Sequence, residues 1–443
     1  MVAKQRSTAT KKWQNYLERW FPEPEAVSNH PAHIAWHNSK SQYNIAAAGR
    51  RSWKTERAKR KLIRGTPHHH GALTLPYGNF GFFAPTHSQV KRIAWNDLKT
   101  MTQPFWAGKP SETELIIELV TGSRIFCVGM DVPERVEGMQ WHGIVLDEYA
   151  NMKEIVWGAH VQPVTSDTGA WVDFIGVPEG RNHYYKLAKL AEQDTTGLWS
   201  FFTWKSSDIL PPESIQQARL SLDSRLFAQE YEAEFLQGGR VVYTAFSNAN
   251  IVSGINFDPN AETYLCFDFN ATEKPFSVAA IQRQPNDTFV VAHEFSYTYT
   301  QTETMCGIIV TFLRENNFNG VLHVCGDASG RSIRTTSSRS DYKIIEDVVG
   351  SAYRIVGLSK RRVRAIRDRV NSTNALYCSA AGVRRLYVSE KCKKTITDIQ
   401  ETEWRENGVE IDGSNPAISH LSDAVSYFAH NYFPIDRGEN KVW

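Results

Sequence analysis

Ala46-Ala47-Ala48-Gly49-Arg50-Arg51-Ser52-Trp53-Lys54-Thr55 is the stretch on which the reading of this chain turns. The apolar run before the loop, Tyr43 to Ala48, reads as a buried strand, and Glu56 to Arg64 reads as a helix rich in Lys and Arg. Strand, tight loop, Lys-Thr and helix is the layout of a phosphate-binding P-loop. There, loop amides and the helix N-terminus meet the phosphates, a Lys reaches the β/γ-phosphates and a Thr hydroxyl holds Mg²⁺. Gly49, Arg50, Arg51, Ser52, Lys54 and Thr55 are accordingly the candidate phosphate-binding residues. The pattern G-x-x-x-x-G-K-[ST] is only half met: Ala48 and Trp53 stand at its two glycine positions, and Gly49 comes one place late. Taken alone, the match balances against a plain basic helix following a strand. The decision comes from downstream.

Gly143-Ile144-Val145-Leu146-Asp147-Glu148-Tyr149 is an apolar run ending in two acids, as a buried parallel strand delivers carboxylates to a site at its C-terminal edge. Asp147 would hold Mg²⁺ through water and Glu148 would polarise the attacking water. Asn79 to Thr86, Trp171 to Gly180 and Phe201 to Trp204 read as further strands, and Glu114–Val120 with Arg124–Gly129 as a hairpin across Thr121-Gly122-Ser123. Asn182-His183-Tyr184-Tyr185 opens a helix, and a long helix is expected within Pro212–Phe235. Strands alternating with helices make this half α/β with a mainly parallel sheet. Upstream, Trp13, Tyr16, Leu17, Trp20 and Phe21 are spaced as a short amphipathic helix, and Gln42 is a candidate for reading a nucleotide base. His68-His69-His70 are adjacent in a Gly/Pro-rich loop, which favours a solvated loop over a metal site. Gln237-Gly238-Gly239-Arg240 is the clearest linker, giving domains at 1–236 and 237–443.

The second half restarts with Glu262 to Asn270, a strand around the single acid Asp268. Ser277–Gln282 and Thr288–Phe295 pair across Pro285-Asn286-Asp287, a helix runs from Thr302 to Glu315, and Gly320 to Asp327 is again an apolar strand ending in Asp. Ser419 to Phe428 is an amphipathic helix with Asp423 beside its apolar face. Asp268, Asp327 and Asp423 together suit a two-metal phosphodiesterase site, whose Mg²⁺ or Mn²⁺ ions, about 4 Å apart, need several oxygen ligands. The order of hairpin, helix, strand-Asp and helix-Asp is that of RNase H-like nucleases. Two basic stretches between the acids, Arg331–Arg339 and Lys360–Arg369, would contact a DNA backbone.

Length and composition agree with two ordinary globular domains: 443 residues, 41% hydrophobic and 22% charged. No apolar run approaches the length of a bilayer span, and Met1 to Thr10 is polar and basic, unlike a signal peptide. Six cysteines without CxxC spacing read as buried reduced thiols and place the chain in the cytosol. A net charge of +2 leaves the positive charge local rather than global.

In these residues the chain resembles the large terminase subunits of tailed bacteriophages, which package and cut genomic DNA. The resemblance runs from about Asn44 to Tyr432. It rests on Gly49–Thr55, Val145–Tyr149, Gly176–Tyr185, Asp268, Gly326–Gly330, Asp368–Asn371 and His420–Ala424. It implies an N-terminal P-loop ATPase domain of the ASCE type followed by an RNase H-like nuclease domain. The first would use ATP and Mg²⁺, with Glu148 as catalytic carboxylate and Val177–Gly180 coupling hydrolysis to motion. Arg135 is the candidate arginine offered to a neighbouring subunit. The second would cut concatemeric DNA through Asp268, Asp327 and Asp423 with two Mg²⁺ or Mn²⁺. Implied partners are double-stranded DNA, a small terminase subunit, the portal protein of the procapsid and further copies in a ring. The implied place of action is the host-cell cytoplasm, not a membrane or the mature virion. Two residues depart from the family pattern: Trp53 crowds the loop where a glycine is usual, and Val177 stands where a hydroxyl residue is common. Two rival readings remain, a nuclease whose N-terminal domain is a scaffold without ATP turnover, and a DNA-repair helicase-nuclease.

Overall fold

The computed structural model describes Tyr16, Arg19 and residues 21–435, apart from 237, 238, 271, 333–338, 360–364, 406 and 407. Outside the described residues lie most of the expected N-terminal helix, the first half of the linker, the larger part of the first basic stretch and half of the second. The chain forms two compact units, 1–215 with 228–237, and 216–227 with 238–443.

The first unit is built on a seven-stranded sheet of order β3-β4-β2-β5-β6-β1-β7. Its strands are β1 (Tyr43–Ala47), β2 (Asn79–Ala84), β3 (Ile116–Glu118), β4 (Arg124–Gly129), β5 (Gly143–Asp147), β6 (Trp171–Gly176) and β7 (Trp199–Phe202). All pairings are parallel except β3 with β4, the expected hairpin. Every residue of β1 is buried because both faces are covered: Ala46 packs into one core with Phe80 and Phe82, and Ile45 and Ala47 into the other with Phe83 and Leu146. β6 lies between the loop strand β1 and the acid strand β5, the arrangement of the ASCE class.

The helix after the loop, Lys54–Arg64, does not present a basic face to water. Arg57, Lys59, Arg60 and Lys61 are all buried. Lys61 bonds Asp173 of β6 at 2.7 Å, Lys59 reaches Asp97 at 2.5 Å, and Arg57 and Arg64 share Glu23 at 2.9 and 3.1 Å. Such ions are tolerated inside only because each has an opposite charge at hydrogen-bond range. The expected long helix near residue 220 is two, Pro212–Ser221 and Ser224–Glu230. It breaks where Asp223 turns its carboxylate onto the amides of Arg225 and Leu226 at 3.0 and 3.1 Å. In the His68–His70 loop, His68 and His70 are exposed as a solvated loop requires, and His69 alone turns inward. His69 is half-buried, burial drives its pKa down to about 3, and the His70 carbonyl accepts the Trp171 indole N–H at 2.8 Å.

The second unit carries another seven-stranded sheet, β13-β12-β9-β10-β11-β14-β8. It comprises β8 (Ile251–Val252), β9 (Thr263–Asp268), β10 (Phe276–Arg283), β11 (Phe289–Tyr297), β12 (Leu322–Gly326), β13 (Ile355–Ser359) and β14 (Leu386–Ser389). β9, β10 and β11 are antiparallel neighbours and β12 runs parallel to β9, the RNase H-like core. Alternation along β9 divides the two cores. Tyr264 and Cys266 face the helix His420–Tyr432, while Leu265 and Phe267 face the helices Thr302–Glu315 and Asp341–Ala352. Cys266 and Cys325 sit side by side, Sγ to Sγ 3.3 Å, as free buried thiols. No described helix is long and apolar enough to cross a membrane.

Candidate functional site

The two units present two separate carboxylate edges, and each follows from strand parity and loop geometry.

In the first unit the loop leaves β1 at its C-terminal end. The Gly49 amide donates to the Trp204 carbonyl at 3.0 Å and the Arg50 amide to that of Glu230 at 2.6 Å. Only glycine fits at 49: a Cβ there would stand 2.6 Å from the Ser206 nitrogen and 2.8 Å from the Tyr231 oxygen. The Ser52 hydroxyl folds back onto the Gly49 carbonyl at 2.6 Å, and the Ser52 carbonyl receives both His33 Nε2 at 3.0 Å and Trp204 Nε1 at 2.9 Å. Arg51 and Trp53 are left-handed, at φ 55° and 67°. The amides of Arg51, Ser52 and Trp53 meet no carbonyl among the described residues. Trp53 thus takes the backbone conformation that a glycine would, and its ring lies under the Arg60 guanidinium at 5.1 Å. Arg50 reaches Glu230 at 3.4 Å.

Lys54 is buried, its ammonium 3.2 Å from the Gly49 carbonyl. Burial lowers its pKa, against the pull of Glu148, Asp147 and Glu230. The Thr55 hydroxyl meets the Asp147 carboxylate at 3.3 and 3.4 Å, so loop and acid strand converge on one spot. Burial first, and the neighbouring Glu148 charge second, push the Asp147 carboxyl up to about 7. Glu148 turns out of β5 in the left-handed region, at φ 53°.

Two residues read from the sequence only as a helix start tie the segment after β6 to this turn: Asn182 donates to the Ala150 carbonyl at 3.1 Å, and His183 Nε2 lies 3.1 Å from that of Tyr149. Gln42 is not brought to the loop. It stands at the opposite end of β1, its side-chain amide donating to the Ala170 carbonyl at 3.1 Å and its backbone carbonyl accepting the Val172 amide. Arg135 sits exposed on the turn Pro133–Val136.

In the second unit Gly326 pairs with Phe267, so Asp327 and Asp268 follow one another off adjacent strand ends. Asp268 shares parity with Tyr264 and Cys266, and Asp327 with Cys325, which puts both on the face covered by His420–Tyr432, the helix that carries Asp423. Asp268 accepts Asn270 Nδ2 at 2.7 Å and faces His420 Nδ1 at 2.9 Å. Burial and the Asp423 charge raise the Asp268 pKa, while His420 and Arg369 oppose them. Asp423 is held by Arg369 at 2.5 Å, and Arg369 is itself buried, bonded to Ser426 and stacked 5.1 Å from Tyr427. Arg369 therefore points inward to a carboxylate and not outward to a DNA backbone, a correction to the reading of its basic stretch. Asp327 bends onto its own turn, accepting the Ser329 amide at 3.2 Å and hydroxyl at 2.9 Å. Among the described residues no three His, Cys, Asp or Glu side chains converge as ion ligands. The donor chemistry nonetheless fits hard divalent ions, since all three candidates are carboxylates.

Asp398 is the residue sequence reasoning missed. Its carboxylate accepts the amides of Ser419, Leu421 and Ser422 at 2.5, 2.6 and 2.9 Å, and so caps the helix bearing His420 and Asp423. Its signal was faint, because it lies more than a helical turn's reach away in sequence, and only the fold makes it a cap.

By fold, the two sheets place the chain in the class that joins an ASCE-type P-loop domain to an RNase H-like domain. Within that class, the chain is similar to the large terminase subunits of phages. It is 22% identical over 377 residues to the terminase large subunit of Escherichia phage T5, spanning 80% of each chain. It is 22% identical over 249 residues to that of Thermus virus P23-45, covering 48% of this chain and 50% of the other. Among solved structures, the large terminase of a thermophilic bacteriophage in complex with ADP superposes with a TM-score of 0.58 at 15% identity, over 95% of this chain and 99% of that one. No family model matches the chain.

Proposed function

We propose that this protein is a viral genome-packaging motor subunit. Residues 1–236 hydrolyse ATP to move double-stranded DNA into a procapsid, and residues 237–443 cut concatemeric DNA. The observation that supports the reading is the meeting of the Thr55 hydroxyl with Asp147 beside buried Lys54, on a chain whose second sheet ends Asp268 and Asp327 on adjacent strands, with Asp423 on the helix packed against it.

In the first unit the unspent amides of Arg51, Ser52 and Trp53 and the Lys54 ammonium bind phosphate oxygens, with Gly49 and Arg50 anchoring the loop. Thr55 and Asp147 would hold Mg²⁺, which supplies charge neutralisation at the phosphates. Glu148 orients and deprotonates the attacking water. Arg135, exposed, is offered to the site of a neighbouring copy in a ring. The Trp53 ring, turned onto Arg60, supports turnover over the scaffold reading.

In the second unit Asp268, Asp327 and Asp423 would hold two Mg²⁺ or Mn²⁺, which supply charge at the attacking and leaving oxygens. Asn270 and His420 orient Asp268, and Arg369 holds the Asp423 carboxylate in place on its helix. The small terminase subunit and the portal protein are the partners, and the host-cell cytoplasm is the place of action.

The test is plasmid cleavage with Mn²⁺ and ATP hydrolysis read on the same samples of wild type, Asp268→Ala and Lys54→Ala. Asp268→Ala should lose cleavage by at least about 100-fold and keep ATP turnover, and Lys54→Ala should do the reverse. Cleavage surviving in Asp268→Ala would sink the carboxylate assignment, and wild type without ATP turnover would return the scaffold reading.

A further inference from the structure

On the side of the second sheet that meets the helix His420–Tyr432 lies an open groove of about 660 Å³ beside the carboxylate edge, a volume usual for a ligand site. Its lining includes Ser277, Tyr297, Lys393, Lys394, Thr397 and His420. Two of these tie it to Asp268. Ser277 stands directly opposite Asp268 in the β9–β10 ladder, and opposed residues share a face one strand spacing apart. His420 bonds Asp268 itself, at 2.9 Å.

The groove is lined with hydroxyls and two ammonium groups that no acid neutralises. Lys394 donates to the Ser296 carbonyl at 3.2 Å, and neither Lys393 nor Lys394 pairs with a carboxylate among the described residues. Asp398 also lines the groove, and both it and the neighbouring Glu294 are already engaged in hydrogen bonds. Asp398 is taken by three amides of the following helix, and Glu294 by the amides of Lys394 and Thr395 at 3.1 and 2.7 Å and by the Thr395 hydroxyl at 2.7 Å. Tyr297 is 46% exposed, leaving its ring open to stack on a base. Unpaired ammonium groups, hydroxyl donors and an open aromatic ring together match a phosphodiester chain better than any apolar or cationic ligand.

We propose that this groove binds the backbone of a nucleic-acid strand and leads it to Asp268, with Lys393 and Lys394 on its phosphates. The destination rests on the nuclease reading of the carboxylate edge, whereas the binding does not.

The test compares the full chain with its Lys393→Gln/Lys394→Gln double variant and with Lys391→Gln, an exposed lysine outside the groove lining that serves as a charge control. Anisotropy of a fluorescein-labelled DNA duplex in Ca²⁺ is titrated across salt concentrations, and hydrolysis of bis(p-nitrophenyl) phosphate with Mn²⁺ is followed separately. The double variant should bind more weakly and lose about 1 to 2 from the slope of log affinity against log salt, about 0.9 per phosphate contact. Small-diester turnover should stay at the wild-type rate, and Lys391→Gln should leave the slope unchanged. An unchanged slope in the double variant, or an equal loss in Lys391→Gln, overturns the groove. Weaker binding by the double variant, with no diester turnover even in wild type, supports the groove and instead removes the nuclease reading.

Discussion

Gly49 and Trp53 show how a loop that misses its usual glycines still closes. At 49 the constraint is space, since backbone atoms of Ser206 and Tyr231 fill the volume of a side chain. Ala in its place must push the loop off its anchors, at about 1–3 kcal/mol. At 53 the constraint is conformation, and a bulky residue at φ 67° carries strain of about 1–2 kcal/mol. Trp53→Gly relieves that strain but loses the Arg60 contact and adds chain entropy, each about 0.5–1 kcal/mol. Thermal unfolding should therefore place Trp53→Gly within about 1 kcal/mol of wild type with ATP turnover kept, and Gly49→Ala clearly below both with turnover lost. A Trp53→Gly protein that folds but no longer turns over ATP would mean that the indole does more than occupy the left-handed corner.

The helix His420–Tyr432 is the element on which the second site depends, and its first turn is set from outside. Ser419 enters it at φ 84°, and Asp398 takes the three amides that the helix itself cannot satisfy. Burial outweighs those amides and, with Asp423 nearby, lifts the Asp398 carboxyl from 3.8 to about 6. An acid whose folded pKa is raised gives its full stability below the unfolded value and loses it as pH climbs through the folded one. This group's contribution therefore fades between about pH 4 and pH 6, by up to about 3 kcal/mol. Asp398→Asn cannot ionise. Its melting temperature relative to wild type should rise across that window and level off above it, read on the unfolding transition of the second unit. A relative melting temperature that falls over the same window would show that the amides, not burial, dominate.

At the scale of the whole molecule, the sequential linker and the physical division of the chain are not the same line. Residues 216–227 precede Gln237 but pack with the second unit. Ala380 donates to the Leu222 carbonyl at 2.6 Å and Ala381 to that of Arg219 at 3.0 Å, and Phe227 is buried beneath the Arg219 guanidinium. Two hydrogen bonds and one buried aromatic ring are worth about 3 kcal/mol together. A fragment of residues 216–443 should unfold at correspondingly higher denaturant than one of residues 238–443. Equal midpoints would mean that the segment merely rests on the second unit.

What the sequence determined by itself was whatever depends on local order along the chain. Apolar runs ending in acids marked β5 and β12, and an apolar run around one acid marked β9, because alternation and acid position are written residue by residue. The Gly-Arg-Arg-Ser-Trp-Lys-Thr stretch fixed the loop, and the Pro-Asn-Asp turn fixed the β10–β11 hairpin. The tertiary structure alone decided which charges are inside and what they meet. Lys59, Lys61 and Arg369 look like surface cations in the sequence, yet each is buried against an acid far away along the chain, Asp97, Asp173 and Asp423. Gln42 sits one residue before the loop strand, yet a strand's length carries it away from the loop. Asp398 becomes a cap only when two helices meet. A charge's partner is set by distance in space, and the pattern along the chain encodes only which face it starts from.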